Sequence, residues 1–167
     1  MVPGKEVDVW RERKHDVSRA SVNMAATKIR GAAMNLPEEF NTPEFARGLA
    51  KRVEVLGATH VQKSLESVDE FTKPIQKFVT EAAWGGIWGR DGLDAKSRSM
   101  ITVAMLTALG RQHELAVHVR GALNNGVSAR ELQEILLQSA IYAGAPAALE
   151  AFRTAGAVLK EAGVELK

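Results

Sequence analysis

Glu114 and His118 stand four residues apart in the run Gln112–Asn124, so on a helix their side chains fall one turn apart on one face. A carboxylate beside an imidazole holds the ring and favours its protonated form, a useful proton donor near neutral pH. The same spacing also describes a solvated ion pair worth about a few tenths of a kcal/mol. Arg111 lies one turn earlier, and Ala122, one turn later, leaves open space above the ring. Leu115, Val119 and Leu123 form the adjoining apolar stripe, which places His118 on its boundary.

Trp84 and Trp88 repeat the four-residue spacing around Gly85-Gly86. They read either as core anchors sealing a helix end or as an apolar wall over a pocket that the glycines let close. Arg90 and Arg98 flank the turn Asp91-Gly92-Leu93. A guanidinium fork matches the two oxygens of a carboxylate, although an exposed Arg is more often simply solvated. Tyr142 can donate a hydrogen bond if it is buried. His15, His60 and His113 lack comparable company. No His-Glu-x-x-His or similar spacing is present, and one Glu/His pair supplies too few ligands for zinc, so no metal site is expected. The glycines fit neither a P-loop nor a dinucleotide fingerprint.

The elements that must position these residues are punctuated clearly. Thr42-Pro43-Glu44 has the cap, the N1 proline and the acid of a helix start. Phe45, Leu49, Val53 and Leu56 then recur at helical spacing until Gly57. Helical turns are expected over Ala58–Val68. Thr72 and Pro74 open a helix that turns Ile75, Phe78, Val79 and Ala82 to the core and breaks at Gly85-Gly86 and Gly89 to Gly92. Asp94 caps a helix to Leu109, and Gln112–Asn124 follows. Ser128 with Glu131 is a capping box for a helix reaching Tyr142, and a last one runs from Ala147 to Ala162. Nothing alternates as a strand does. The prediction is an all-α, single-domain bundle of about six to seven helices, with Ala-rich faces that allow close axes.

The 167 residues, 46% hydrophobic and 25% charged, suit one globular domain with a real core. No apolar run approaches the roughly 18 residues of a spanning helix, so no membrane partner is expected. The absence of cysteine excludes disulfides, thiolate metal sites and thiol peroxidase chemistry, and it suits a cytoplasmic protein. The basic excess lies in the first 35 residues, where seven Lys/Arg meet four Asp/Glu. The remainder is nearly neutral, which argues against a nucleic-acid surface. Residues 1–40 read as a partly ordered extension with no leader pattern, and 41–167 as the helical domain.

Taken in order, Trp84-Gly85, Trp88, Arg90, Gly92-Leu93, Arg98-Ser99, Ala108-Leu109-Gly110-Arg111, Glu114-Leu115, His118 and Gly126-Val127-Ser128 resemble the 4-carboxymuconolactone decarboxylase family. Glu131, Glu134 to Leu137 and Tyr142 to Pro146 extend the likeness, as do Arg52-Val53, Leu56-Gly57, Phe71-Thr72 and Pro74 upstream. It covers residues 44–160. Each motif is short; their order and spacing carry the specificity. Asp91 departs from the pattern, standing where a proline is expected in the turn.

The resemblance implies the alkylhydroperoxidase-D-like all-α fold, assembled as a homo-oligomer, often a trimer or hexamer. It implies decarboxylation of 4-carboxymuconolactone to 3-oxoadipate enol-lactone in protocatechuate degradation, without cofactor. Arg111 and Glu114 hold the places of the two cysteines of the thiol-peroxidase branch. The substrate is a lactone dicarboxylate. His118 is then donor and proton source, Glu114 its orienter, and Arg98 a carboxylate clamp. Arg90, Arg111, Trp84, Trp88 and Tyr142 line the substrate. Two other readings remain: a relative acting as lactone isomerase or cyclase, and a non-catalytic helical oligomer that binds an acidic small molecule.

Overall fold

The computed structural model describes residues 36–165; the N-terminal extension up to residue 35 lies outside them. A single 3-10 turn, Glu38–Phe40, leads into α1 (Pro43–Leu56), α2 (Ala58–Glu66) and α3 (Lys73–Phe78). A π-helix, Val79–Trp88, continues α3 without a break. Then come α4 (Ala95–Ala108), α5 (Gln112–Asn124), α6 (Ala129–Ala143) and α7 (Ala145–Glu161). Among the described residues there are seven α-helices and no strand, as the periodicity predicts.

The caps work as their residue types require. Thr42 accepts from the Phe45 N–H at 3.1 Å, and Asp94 from that of Ser97 at 2.7 Å. Ser128 and Glu131 satisfy one another's backbone donors reciprocally. Gly57, at φ 85°, and Gly144, at φ 92°, turn the chain from one helix directly into the next, a conformation that side chains with a Cβ resist.

Two apolar clusters share one helix. Val103, Leu115, Val119, Leu132, Leu136 and Ala151 tie α4 to α7 together. Phe45, Leu49, Val55, Leu56, Val61 and Trp84 join α1 and α2 to the π-helix. Helix α5 serves both, sending Leu115 and Val119 to the first and Val117 to the second. Ala122 is fully buried in the first cluster, so it fills core there and does not open space over His118.

The break expected at Gly85-Gly86 does not occur. The helix passes through both glycines with the wider π winding. The reason is a close approach to α1: a Cβ on Gly48 would lie 1.8 Å from the Thr80 carbonyl oxygen, and Gly85 faces Gly48 with only backbone between them. Glycine on both surfaces lets the two backbones touch. Thr42 Oγ1 pins the same junction by donating to Glu81 Oε1 at 2.6 Å. Ile75 (55% exposed) and Phe78 (65% exposed) face outward, not to the core, and Ala82 is exposed as well. Helix α3 is only six residues long and contributes no buried side chain.

Candidate active site

His118 projects from the face of α5 that meets the π-helix, and both indoles receive it. Its ring lies 6.1 Å from that of Trp84 at an interplanar angle of 7°, and 6.2 Å from that of Trp88 at 23°. The indoles are themselves 5.1 Å apart, tilted by 30°. These are offset stacks of the kind aromatic rings prefer. Trp84 is buried and Trp88 partly so. Winding the chain as a π-helix therefore yields an aromatic wall against one imidazole, the arrangement into which sequence spacing left two readings open.

Loss of water around the ring is the largest influence on its protonation, and it pulls the His118 pKa from 6.5 down to about 4. The field of His60 pushes the same way, and Glu114 opposes both weakly. The expectation that Glu114 keeps His118 cationic is therefore not met. Glu114 is exposed, and water screens what attraction remains. At neutral pH the imidazole is uncharged.

That shift has a consequence for stability. The unfolded chain binds a proton at His118 below pH 6.5, whereas the folded chain resists it until about 4. The contribution is fully present above 6.5 and is lost as pH falls towards 4. Between pH 7 and 4.5 the wild type is expected to lose about 2 kcal/mol more than His118→Gln. Urea midpoints of both proteins at the two pH values check this. Equal losses would mean that the ring titrates as a solvated one.

Two residues that the sequence gives no site role, His60 and Arg52, also bear on this ring or its neighbours. His60, exposed on α2, has its own pKa lowered by partial loss of water, then by Arg52 and by His113. Arg52, on α1, is only 7% exposed. Its Nη1 donates to Gln76 Oε1 at 3.1 Å and to Thr80 Oγ1 at 3.4 Å, and its Nη2 to Ser64 Oγ at 2.8 Å. The sequence carries a signal: Arg52 falls seven residues after Phe45, on the apolar stripe beside Val53. The structure buries Arg52 and Val55 and leaves Val53 only partly covered.

The remaining candidates are not drawn to the imidazole by any described contact. Arg98 Nη2 donates to the Arg90 carbonyl at 3.0 Å, which closes the turn before α4. Arg90 and Arg111 are exposed. Tyr142 is 84% exposed at the end of α6, so it is no buried donor.

Among the described residues the fold is all-helical and holds one water-poor imidazole against two indoles, and the sequence has no thiol to form a redox pair. The sequence model of the Carboxymuconolactone decarboxylase family matches residues 73–157. The chain is 44% identical over 120 residues to the 4-carboxymuconolactone decarboxylase of Acinetobacter baylyi, covering 72% of this chain and 90% of that one. It is 40% identical over 114 residues to the nitrosuccinic acid decarboxylase npaB of Metarhizium robertsii, covering 68% and 80%. This protein belongs to the carboxymuconolactone decarboxylase family.

Proposed function

We propose that the protein decarboxylates 4-carboxymuconolactone to the enol-lactone of 3-oxoadipate, in protocatechuate degradation and without a cofactor. The observation that carries this reading is the imidazole stacked on Trp84 and Trp88 in a family whose named relatives are decarboxylases. Both named substrates pair a departing carboxylate with an electron-accepting group already in the molecule, a lactone or a nitro group. Both also keep a second carboxylate. With the sink built into the substrate, the protein need only bind it, stabilise the developing charge and supply a proton.

The lactone arrives as a dianion and displaces the water left around His118. Its field outweighs the burial that keeps the ring neutral, and His118 takes up one proton. The departing carboxylate lies against the indole wall, where loss of hydration favours neutral CO2. As that carbon–carbon bond breaks, its electron pair moves through the ring double bond onto the lactone carbonyl. The imidazolium donates to the resulting enolate oxygen, and its proton ends on ring carbon. The products are CO2 and a monoanionic enol-lactone, and His118 is neutral again. Glu114 adds a weak favourable field to the charged interval.

The exposed apolar side chains Phe71, Met105, Ile141 and Tyr142 support a homo-oligomer, a trimer or hexamer, as the working form. No described helix is long and apolar enough to cross a membrane. The cysteine-free chain suits the reducing cytoplasm as its location.

The test is CO2 release from the purified protein with 4-carboxymuconolactone, with nitrosuccinic acid as the competing substrate. Turnover of the lactone with a kcat/KM in the ordinary enzymatic range of about 10⁴ M⁻¹s⁻¹ or above is expected. Release of CO2 from nitrosuccinate alone, or from neither, would overturn the assignment.

A further inference from the structure

Arg52 carries a positive charge into the protein interior with no negative one beside it among the described residues. Among the described residues, its hydrogen-bond partners are an amide and two hydroxyls, on Gln76, Ser64 and Thr80. Among the described residues no carboxylate lies within ion-pair distance of it, and its Nε–H, fully buried, has no acceptor. Burying a cation without a counter-charge is strongly unfavourable. Cross-linking α1 to α2, α3 and the π-helix would need only a neutral amide. The charge is explained if an anion arrives during function.

The position suits that anion. Thr80, which holds one end of the guanidinium, precedes Trp84 by one turn of the same π-helix. Helices α1 and α5 come together at their C-terminal ends. There Gly121 has space for no more than Val55 and Leu56 leave it, and Asn124 Nδ2 donates to the Val55 carbonyl at 3.2 Å. Arg52 lies one turn back from that junction on α1, and His118 one turn back on α5. Arg52 holds Thr80 on the π-helix, and Trp84, one turn on along that helix, stacks on His118. Ser64, Gln76 and Thr80 fix the fork before anything binds, and pre-ordered donors hold a carboxylate at less entropic cost.

We propose that Arg52, through its buried Nε–H that has no acceptor among the described residues, anchors the carboxylate that the substrate keeps, while the one that leaves lies against Trp84 and Trp88. The assignment rests on the decarboxylase reading and deepens it. Arg52 separates the two carboxylates by environment: one meets a cation that stabilises it, the other meets aromatic carbon that does not.

The experiment compares wild type and Arg52→Lys on the lactone diacid and on the same lactone with the retained carboxyl converted to a primary amide. Lysine keeps the charge but loses the planar fork. On the diacid, KM is expected to rise about tenfold to a hundredfold, with kcat within about threefold. On the amide, the two proteins should behave alike. A KM penalty of equal size on both substrates, or one produced by Arg98→Lys instead, would overturn the proposal. A second measurement needs no variant to fold: the ¹H–¹⁵N resonance of Arg52 Nε in wild type should shift on adding the diacid and stay put on adding the amide. An unmoved resonance under saturating diacid contradicts the anchor. If wild type releases no CO2 from the diacid, the decarboxylase reading fails, and the Nε resonance still decides whether Arg52 binds the carboxylate.

Discussion

His118→Ala is expected to lower kcat for the lactone by on the order of 10²–10⁴, the usual loss when a positioned general acid is removed. The protein should remain folded, because the ring stacks on Trp84 and Trp88 at the edge of a cluster that Phe45, Val55 and Val61 hold without it. His118→Gln retains a donor for the enolate oxygen but no transferable proton. It should recover part of the rate and none of the pH dependence. Glu114→Gln should cost less than about tenfold, since the carboxylate is exposed and its field on the ring is the weakest of those acting there. Steady-state rates of the three variants check this. Equal losses in His118→Ala and Glu114→Gln would restore the ion pair as the working unit.

Gly48→Ala is expected to remove about 3 kcal/mol of stability or more, the upper range for overpacking. The added methyl would sit 1.8 Å from the Thr80 oxygen and 2.7 Å from its carbon, both backbone atoms with no rotamer to escape into. The π-helix would have to retreat from α1, carrying Trp84 off the imidazole and the Thr80 hydroxyl off Arg52. Activity should fall along with stability. Gly156→Ala is the control: it lies inside α7 with nothing near its added carbon, so roughly 0.5–1 kcal/mol should be gained. Urea midpoints report both. An unchanged midpoint in Gly48→Ala would mean that the two backbones do not touch.

The helices were legible because local chemistry sets them. Thr42, Asp94 and the Ser128/Glu131 pair cap where their side-chain oxygens reach orphan N–H groups, and that needs no knowledge of the partners. The π-helix was not legible. Gly85-Gly86 reads as a break in isolation and becomes a contact surface only once Gly48, nearly forty residues earlier, is packed on it. Ile75 and Phe78 face outward although their spacing points them to the core. At the site, Trp84, Trp88 and His118 could be named from four-residue spacings, because each pair lies on a single element. The protonation state could not, because burial comes from packing between elements and outweighs the neighbour that sequence shows. The burial of Arg52 is hidden by its type: beside Val53 on the apolar stripe, a charged residue reads as the solvated one.

Imidazole ¹⁵N NMR of His118, assigned by its disappearance in His118→Gln, tests the central claim most directly when titrated free and with a dicarboxylate lactone that cannot lose CO2. The expected result is a ring that titrates near pH 4 in the free protein, neutral at pH 7, and becomes cationic at pH 7 once the dianion is bound. A ring already cationic at pH 7 without ligand, or still neutral with it bound, would contradict a proton taken up with the substrate and delivered to its ring.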